Sequence, residues 1–222
     1  MKNRIDADKL AIIANQKIKE KEYWLGQLYG LTEKSNFPYD FNGENITHEY
    51  LKTPTSKFPD GLFLQLGKLS RNSDIKLHMI LAAGLVVLLE KYTASTDIVI
   101  GTPIYKQESE SAFINTVLVL RNRHEDTLIF KEFLQQIRNT INNAVDNQNY
   151  PIDHLARHID IPTREKEYPF FDVCILLQII QSKKYLEGIQ YHILFEFNRT
   201  DNSLELAVEY NPSFYRKPMV EQ

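Results

Sequence analysis

The spacing of hydrophobic residues changes several times along the chain, and each change predicts a structural element. From Asp6 to Tyr29 the positions Leu10, Ile13, Ala14, Trp24, Leu25 and Leu28 recur near helical spacing between charges. They predict an entry helix that stops at Gly30. Between 31 and 60, Asn36, Pro38, Asn42, Gly43, Asn45, Pro54 and Pro59 punctuate the chain. This stretch reads as an extended surface connection with one strand at Thr47 to Leu51. Leu62 to Leu66 reads as another short strand. Ser73 and Asp74 can accept hydrogen bonds from the free amides that open a helix. The helix they open, running to Tyr92, is apolar on nearly every side from Met79 to Leu89, as a helix sandwiched inside a domain should be.

Asp97-Ile98-Val99-Ile100-Gly101 reads as a buried strand ending on glycine, before Thr102-Pro103 and a polar loop from Lys106 to Ser111. Phe113 to Leu120 is a second buried strand. Thr127 opens an amphipathic helix whose stripe is Phe130, Phe133, Leu134, Ile137, Ile141, Ala144 and Val145. A short helix is expected at Asp153 to Ile159. Strands follow at Phe170 to Ile180, Ile189 to Phe197 and Ser203 to Tyr210, the last two joined by the turn Arg199-Thr200-Asp201-Asn202. The predicted fold class is α/β (α+β), a mixed sheet covered by helices. Residues 1–30 form its entry helix, 31–60 its extended connection and 61–222 its main body.

The chain has 222 residues, 43% hydrophobic and 25% charged, which argues for a packed domain rather than a disordered chain. A formal charge of −3 gives no basic footprint for nucleic acid. The stretch from Met79 to Leu89 has about half the length needed to span a bilayer. The opening MKNRIDADKL has no apolar core of a secretory signal, so the expected location is cytoplasmic, without a membrane partner.

The single cysteine, Cys174, lies in the apolar run Val173-Cys174-Ile175-Leu176-Leu177, where a thiol is a small buried hydrophobe with a raised pKa. Of the histidines His48, His78, His124, His154, His158 and His192, only His154 and His158 are spaced to share a helix face. A metal would need a third ligand, and the H-E-x-x-H pattern is missing, so no metal site is expected. No G-x-S-x-G, Walker or Rossmann glycine pattern occurs. Glu108-Ser109-Glu110 reads as a solubilising turn.

The order of several segments resembles the condensation-domain family of nonribosomal peptide synthetases, which has a chloramphenicol acetyltransferase-like fold. Glu22-Tyr23-Trp24 with Leu28 looks like that family's Y-W-x-x-x-L helix, and Phe37-Pro38-Tyr39-Asp40 its leucine-proline-x-aspartate segment. Met79 to Thr93, followed by Asp97-Ile98-Val99-Ile100-Gly101-Thr102-Pro103, is similar to its apolar helix and the strand after it. Tyr105-Lys106-Gln107 replaces the usual alanine-glycine-arginine. Phe113-Ile114-Asn115-Thr116 with Leu118 and Arg121 resembles G-x-F-V-N-T and its arginine, Ser111 standing for the glycine. Asn147-Gln148-Asn149-Tyr150-Pro151-Ile152-Asp153 resembles H-Q-D-x-P-F-E. Pro169-Phe170-Phe171-Asp172-Val173 and Glu209-Tyr210-Asn211 with Phe214 are similar to the closing segments.

The resemblance implies one lobe, the C-terminal one, of a two-lobed enzyme whose catalytic H-H-x-x-x-D-G motif lies in the other lobe. This sequence has no adjacent histidines. The implied role is a tunnel wall and docking platform, inactive alone. The implied partners are a peptidyl or aminoacyl carrier protein with its phosphopantetheine arm, an adenylation domain and an N-terminal condensation lobe, in peptide antibiotic biosynthesis. Asn115, Thr116, Asn147, Gln148 and Asp153 are the candidates for facing the arm. Read from the residues alone, Asn115 and Thr116 satisfy backbone groups or cap the sheet, and the other three close one helix and open the next. No residue of this chain is assigned a catalytic role.

Overall fold

The computed structural model describes residues 7–43, 47, 49–106, 114–123, 128–158 and 168–221. The entry helix is two helices, α1 (Ala7–Gln16) and α2 (Ile18–Leu28), broken at Lys17, where ψ swings to 63°. Only α2 buries large side chains, Trp24 and Leu28. Gly30 follows it at φ 68°, a left-handed geometry that lets the chain turn away at little steric cost. The connection then crosses one end of the sheet and contributes two edge fragments, β1 (Leu51–Lys52) and β2 (Ser56–Lys57), so the expected strand at Thr47 to Leu51 shrinks to its last residue and the next.

The predicted strand at Leu62 to Leu66 is instead part of α3 (Asp60–Ser70). Apolar residues at 62, 64 and 66 satisfy a period of two over five positions, but Phe63 between them is apolar too, and its amide bonds back to Pro59 O at 3.0 Å. Leu62 and Leu64 are exposed, as a strand's inward face would not be. Arg71 and Asn72, both at positive φ, then reverse the chain into α4 (Asp74–Thr93), whose Ser73 cap accepts from the Lys76 amide as expected.

Among the described residues the sheet has seven strands in the order β1-β7-β6-β5-β3-β4, with β2 also on β7. Its other members are β3 (Asp97–Pro103), β4 (Val117–Arg123), β5 (Val173–Leu177), β6 (Ile193–Arg199) and β7 (Leu204–Tyr210). The β3–β5 and β5–β6 pairs are parallel, while β3–β4 and β6–β7 are antiparallel. The sheet is therefore mixed, as predicted. Strands β4, β5 and β6 start later than the spacing suggests; Phe113, the expected opening of β4, and the loop from 107 to 111 lie outside the described residues. The turn at 199–202 stands, with the Thr200 amide bonded to Ser203 O.

Helix α5 (Phe130–Asp146) packs on β4 and α4, and α3 packs on α4. Phe133, Ile137, Ile141 and Ala144 form its buried stripe, but Phe130, predicted to join them, is 60% exposed at the helix start. Thr127 lies outside the described residues. The short helix after Pro151 is a 3-10 turn, Ile152–His158. Between β3 and its neighbours packing is so close that a Cβ on Gly101 would stand 2.3 Å from the Phe171 ring, so the strand must carry glycine there.

Candidate functional site

Asn115 lies just before the start of β4, next to the end of β3, and holds the turn that follows α5. Its Nδ2 donates to Gln148 O at 2.6 Å and to Tyr150 O, and its Oδ1 accepts the Ile152 amide at 3.3 Å. A carboxamide has two donors and one acceptor oxygen, so both faces are engaged by backbone that would otherwise lack partners. Asn147 joins from the other side: its carbonyl accepts Trp24 Nε1 at 2.8 Å, and its Nδ2 closes α5 on Asn143 O. Thr116 O receives the Ile104 amide and extends the β3–β4 ladder. Asp153 is exposed and bonds Tyr168, whose hydroxyl is held well above its usual pKa by burial first and by the Asp153 charge next.

The structure thus gathers all five candidates around one turn. Asn115 itself faces inward, and Thr116, Asn147, Gln148 and Asp153 border it. Of the His154 and His158 pair, the His158 side chain lies outside the described residues. Among the described residues no group of three or more His, Cys, Asp or Glu side chains could hold a metal ion, and no single helix is long and apolar enough to cross a membrane.

Arg121, a motif residue without an assigned role, is 3% exposed and fastens α2 to the sheet. Its guanidinium grips Asp97 through Nε at 2.7 Å and Nη2 at 2.5 Å, and it donates to the carbonyls of Gln27, Tyr29 and Gly30. Those carbonyls end a helix and need donors.

Two buried polar groups carry no signal in the sequence. At the end of the sheet where β5 begins, Asp172 accepts Lys34 Nζ at 2.7 Å and Asn36 Nδ2 at 3.0 Å, with the two ionic side chains 2% and 6% exposed. His192 lies 3.7 Å from the same carboxylate, bonds Tyr39 through Nδ1 and stacks on Phe214. At the opposite end, His78 sits between Thr102 and Tyr105, and Gln181 reaches Thr102 from the turn after β5. Each partner pair is separated by 20 or more residues in sequence, so no local pattern announces it. Cys174, 0% exposed, has its thiol pushed well above the usual range by burial, as its apolar run predicted.

Among the described residues no catalytic dyad is seen at this turn, whose bonds position backbone. Comparison with known proteins supplies the rest. The chain is 26% identical over 223 residues to Bacitracin synthase 1 of Bacillus licheniformis and 28% identical over 224 residues to Tyrocidine synthase 3 of Brevibacillus parabrevis. Each alignment takes in 92% of this chain but only 4% and 3% of those proteins. Among solved structures, the X-domain bound to OxyB from teicoplanin biosynthesis superposes with a TM-score of 0.75 at 16% identity, over 91% of this chain and 49% of that one. A starter condensation domain of rhizomide synthetase gives 0.73 at 17%, over 95% and 50%. The four-domain nonribosomal peptide synthetase AB3403 gives 0.76 at 15%, over 91% of this chain and 18% of that one. The family model for the condensation domain matches residues 7–222, and the chain belongs to that family.

Proposed function

We propose that this chain is the C-terminal lobe of a nonribosomal peptide synthetase condensation domain, serving as a tunnel wall and docking platform. The observation that carries the reading is one of proportion: 91–95% of this chain covers only 49–50% of two structural relatives, the teicoplanin X-domain and the rhizomide starter domain. In this reading the partners are a carrier protein, whose phosphopantetheine arm passes the wall, and an adjacent adenylation domain. Asn115 shapes that wall from behind through 148–152, while Thr116, Asn147, Gln148 and Asp153 border the arm.

The family reaction, attack of an acceptor amine on a carrier-bound thioester, needs a proton-handling group within hydrogen-bond reach of the reacting nitrogen. This sequence has no adjacent histidines to match the H-H-x-x-x-D-G motif. It also needs both arms held in register, and alignment of reactants can account for about 7–11 kcal/mol of a barrier. A second reading follows from the same proportion: joined to a separately supplied N-terminal lobe, the chain completes an amide-forming acyltransferase. The test is an assay of dipeptide formation from loaded aminoacyl carriers, with and without such a lobe. The expected result is no product above the uncatalysed rate from the chain alone. Product from the chain alone, lost on His154→Ala, would overturn the reading; product only with the added lobe would establish the second.

A further inference from the structure

Where β3 and β5 end, four side chains meet, three of them buried and Tyr105 half-buried. His78 of α4 is 0% exposed, Thr102 and Gln181 1% each, and Tyr105 completes the group. The Gln181 carboxamide fits one way round. Its Oε1 accepts the Leu177 amide at 2.9 Å, while its Nε2 donates to Pro103 O at 2.5 Å and to Thr102 Oγ1 at 2.8 Å. Reversed, it would set oxygen against the Pro103 carbonyl and an NH2 group against the Leu177 N–H, and lose both of those bonds.

With one hydrogen bond arriving from Gln181, the Thr102 hydroxyl still has its own proton to place. Among the described residues one acceptor stands in reach, His78 Nε2 at 3.1 Å. A buried hydroxyl proton without an acceptor is costly, so Thr102 donates to the ring. Burial lowers the His78 pKa to about 4 and keeps the ring neutral. A neutral imidazole that accepts at Nε2 carries its proton on Nδ1, which lies 3.3 Å from the Tyr105 hydroxyl.

We infer that these side chains form a one-way chain of hydrogen bonds, Gln181 to Thr102 to His78 to Tyr105, locking the segments that leave β3 and β5 to the start of α4 as one unit. The backbone joins the same segments, since Tyr105 bridges Gln181 and the Lys106 amide bonds Ile180 O at 2.8 Å, and the Lys106 side chain adds a bond from Nζ to Gln178 O at 2.6 Å. The device is independent of the reading as a condensation lobe.

The ring nitrogens of His78 in the whole 15N-labelled chain report the direction. The relay requires a protonated Nδ1 and a bare Nε2, unchanged between pH 8 and pH 6; a protonated Nε2 overturns it. Amide exchange tests the unit. In Thr102→Val the Lys106 and Leu177 amides should together lose about tenfold in protection, the scale of one buried hydrogen bond, with the Val208 amide unchanged. Thr102→Ser, which keeps the hydroxyl, should restore both. A loss at only one of the two amides, or an equal loss at Val208, refutes the coupling. Should Thr102→Val fail to fold, the ring nitrogens of the unaltered chain still decide the direction.

Discussion

The two ends of the central sheet are tied by opposite chemistry. Where β3 ends and β4 starts, the neutral carboxamides of Asn115 and Gln181, the Thr102 hydroxyl and the His78 imidazole bond backbone or one another. Where β5 begins, a buried carboxylate, Asp172, meets a buried ammonium, Lys34. A neutral tie that is removed leaves groups whose desolvation costs about 1–3 kcal/mol, whereas half of a buried ion pair leaves a charge in a medium that cannot solvate it. The ends should therefore differ in how sharply they respond to single substitutions and to acid.

Lys34→Met isolates the Asp172 carboxylate and is expected to cost about 3–5 kcal/mol in urea denaturation. A cost under about 1 kcal/mol would erase the contrast between the ends. The double substitution Lys34→Met with Asp172→Leu sharpens it, because replacing both partners by apolar groups should recover most of the loss.

Acid acts at the neutral end through His78. Its pKa falls from 6.5 to about 4 on folding, so the unfolded chain binds the proton more readily. The stability it contributes is fully present above about pH 6.5 and is lost as pH falls toward 4, roughly 3 kcal/mol in all. Stability measured against pH should flatten over that window in His78→Gln. An unchanged slope would show that another group governs it.

Asn115→Ala should cost about 1–3 kcal/mol, and its effect should concentrate in hydrogen exchange at 148–152, the backbone it holds. Cys174 lies in β5 between the two ends and is bonded into neither. Cys174→Ala should cost on the order of 1 kcal/mol through a small cavity, and the native thiol should resist labelling until the chain unfolds. Fast labelling of the native protein would contradict its burial.

Much of this architecture could be read from residue patterns, for identifiable reasons. Helix α4 and strand β3 are apolar over lengths that admit one period each, and Ser73 and Gly101 punctuate them. Helix α3 was misread because five residues with leucine at alternate positions cannot separate a period of two from one of 3.6. The Asn115 turn was legible as a pair of segments, 113–116 and 147–153, but not as a contact between them. Lys34 and Asp172 are 138 residues apart, and neither stands in a pattern that predicts burial. Charge is read from sequence as solvated by default, and only tertiary packing overrides that reading.

The edge fragments β1 and β2 have a consequence for life in a crowded solution. A long, flat outer strand offers a row of open amides and carbonyls onto which another chain can zip. Here that row is cut into two pairs of residues with Thr53-Pro54-Thr55 between them, and each pair carries an exposed lysine, Lys52 or Lys57. Lys52 bonds Glu196 and Lys57 bonds Asp60, so both charges are kept beside the edge. An arriving strand meets a template too short and too charged to extend, and the sheet is guarded against growth into aggregates from that side.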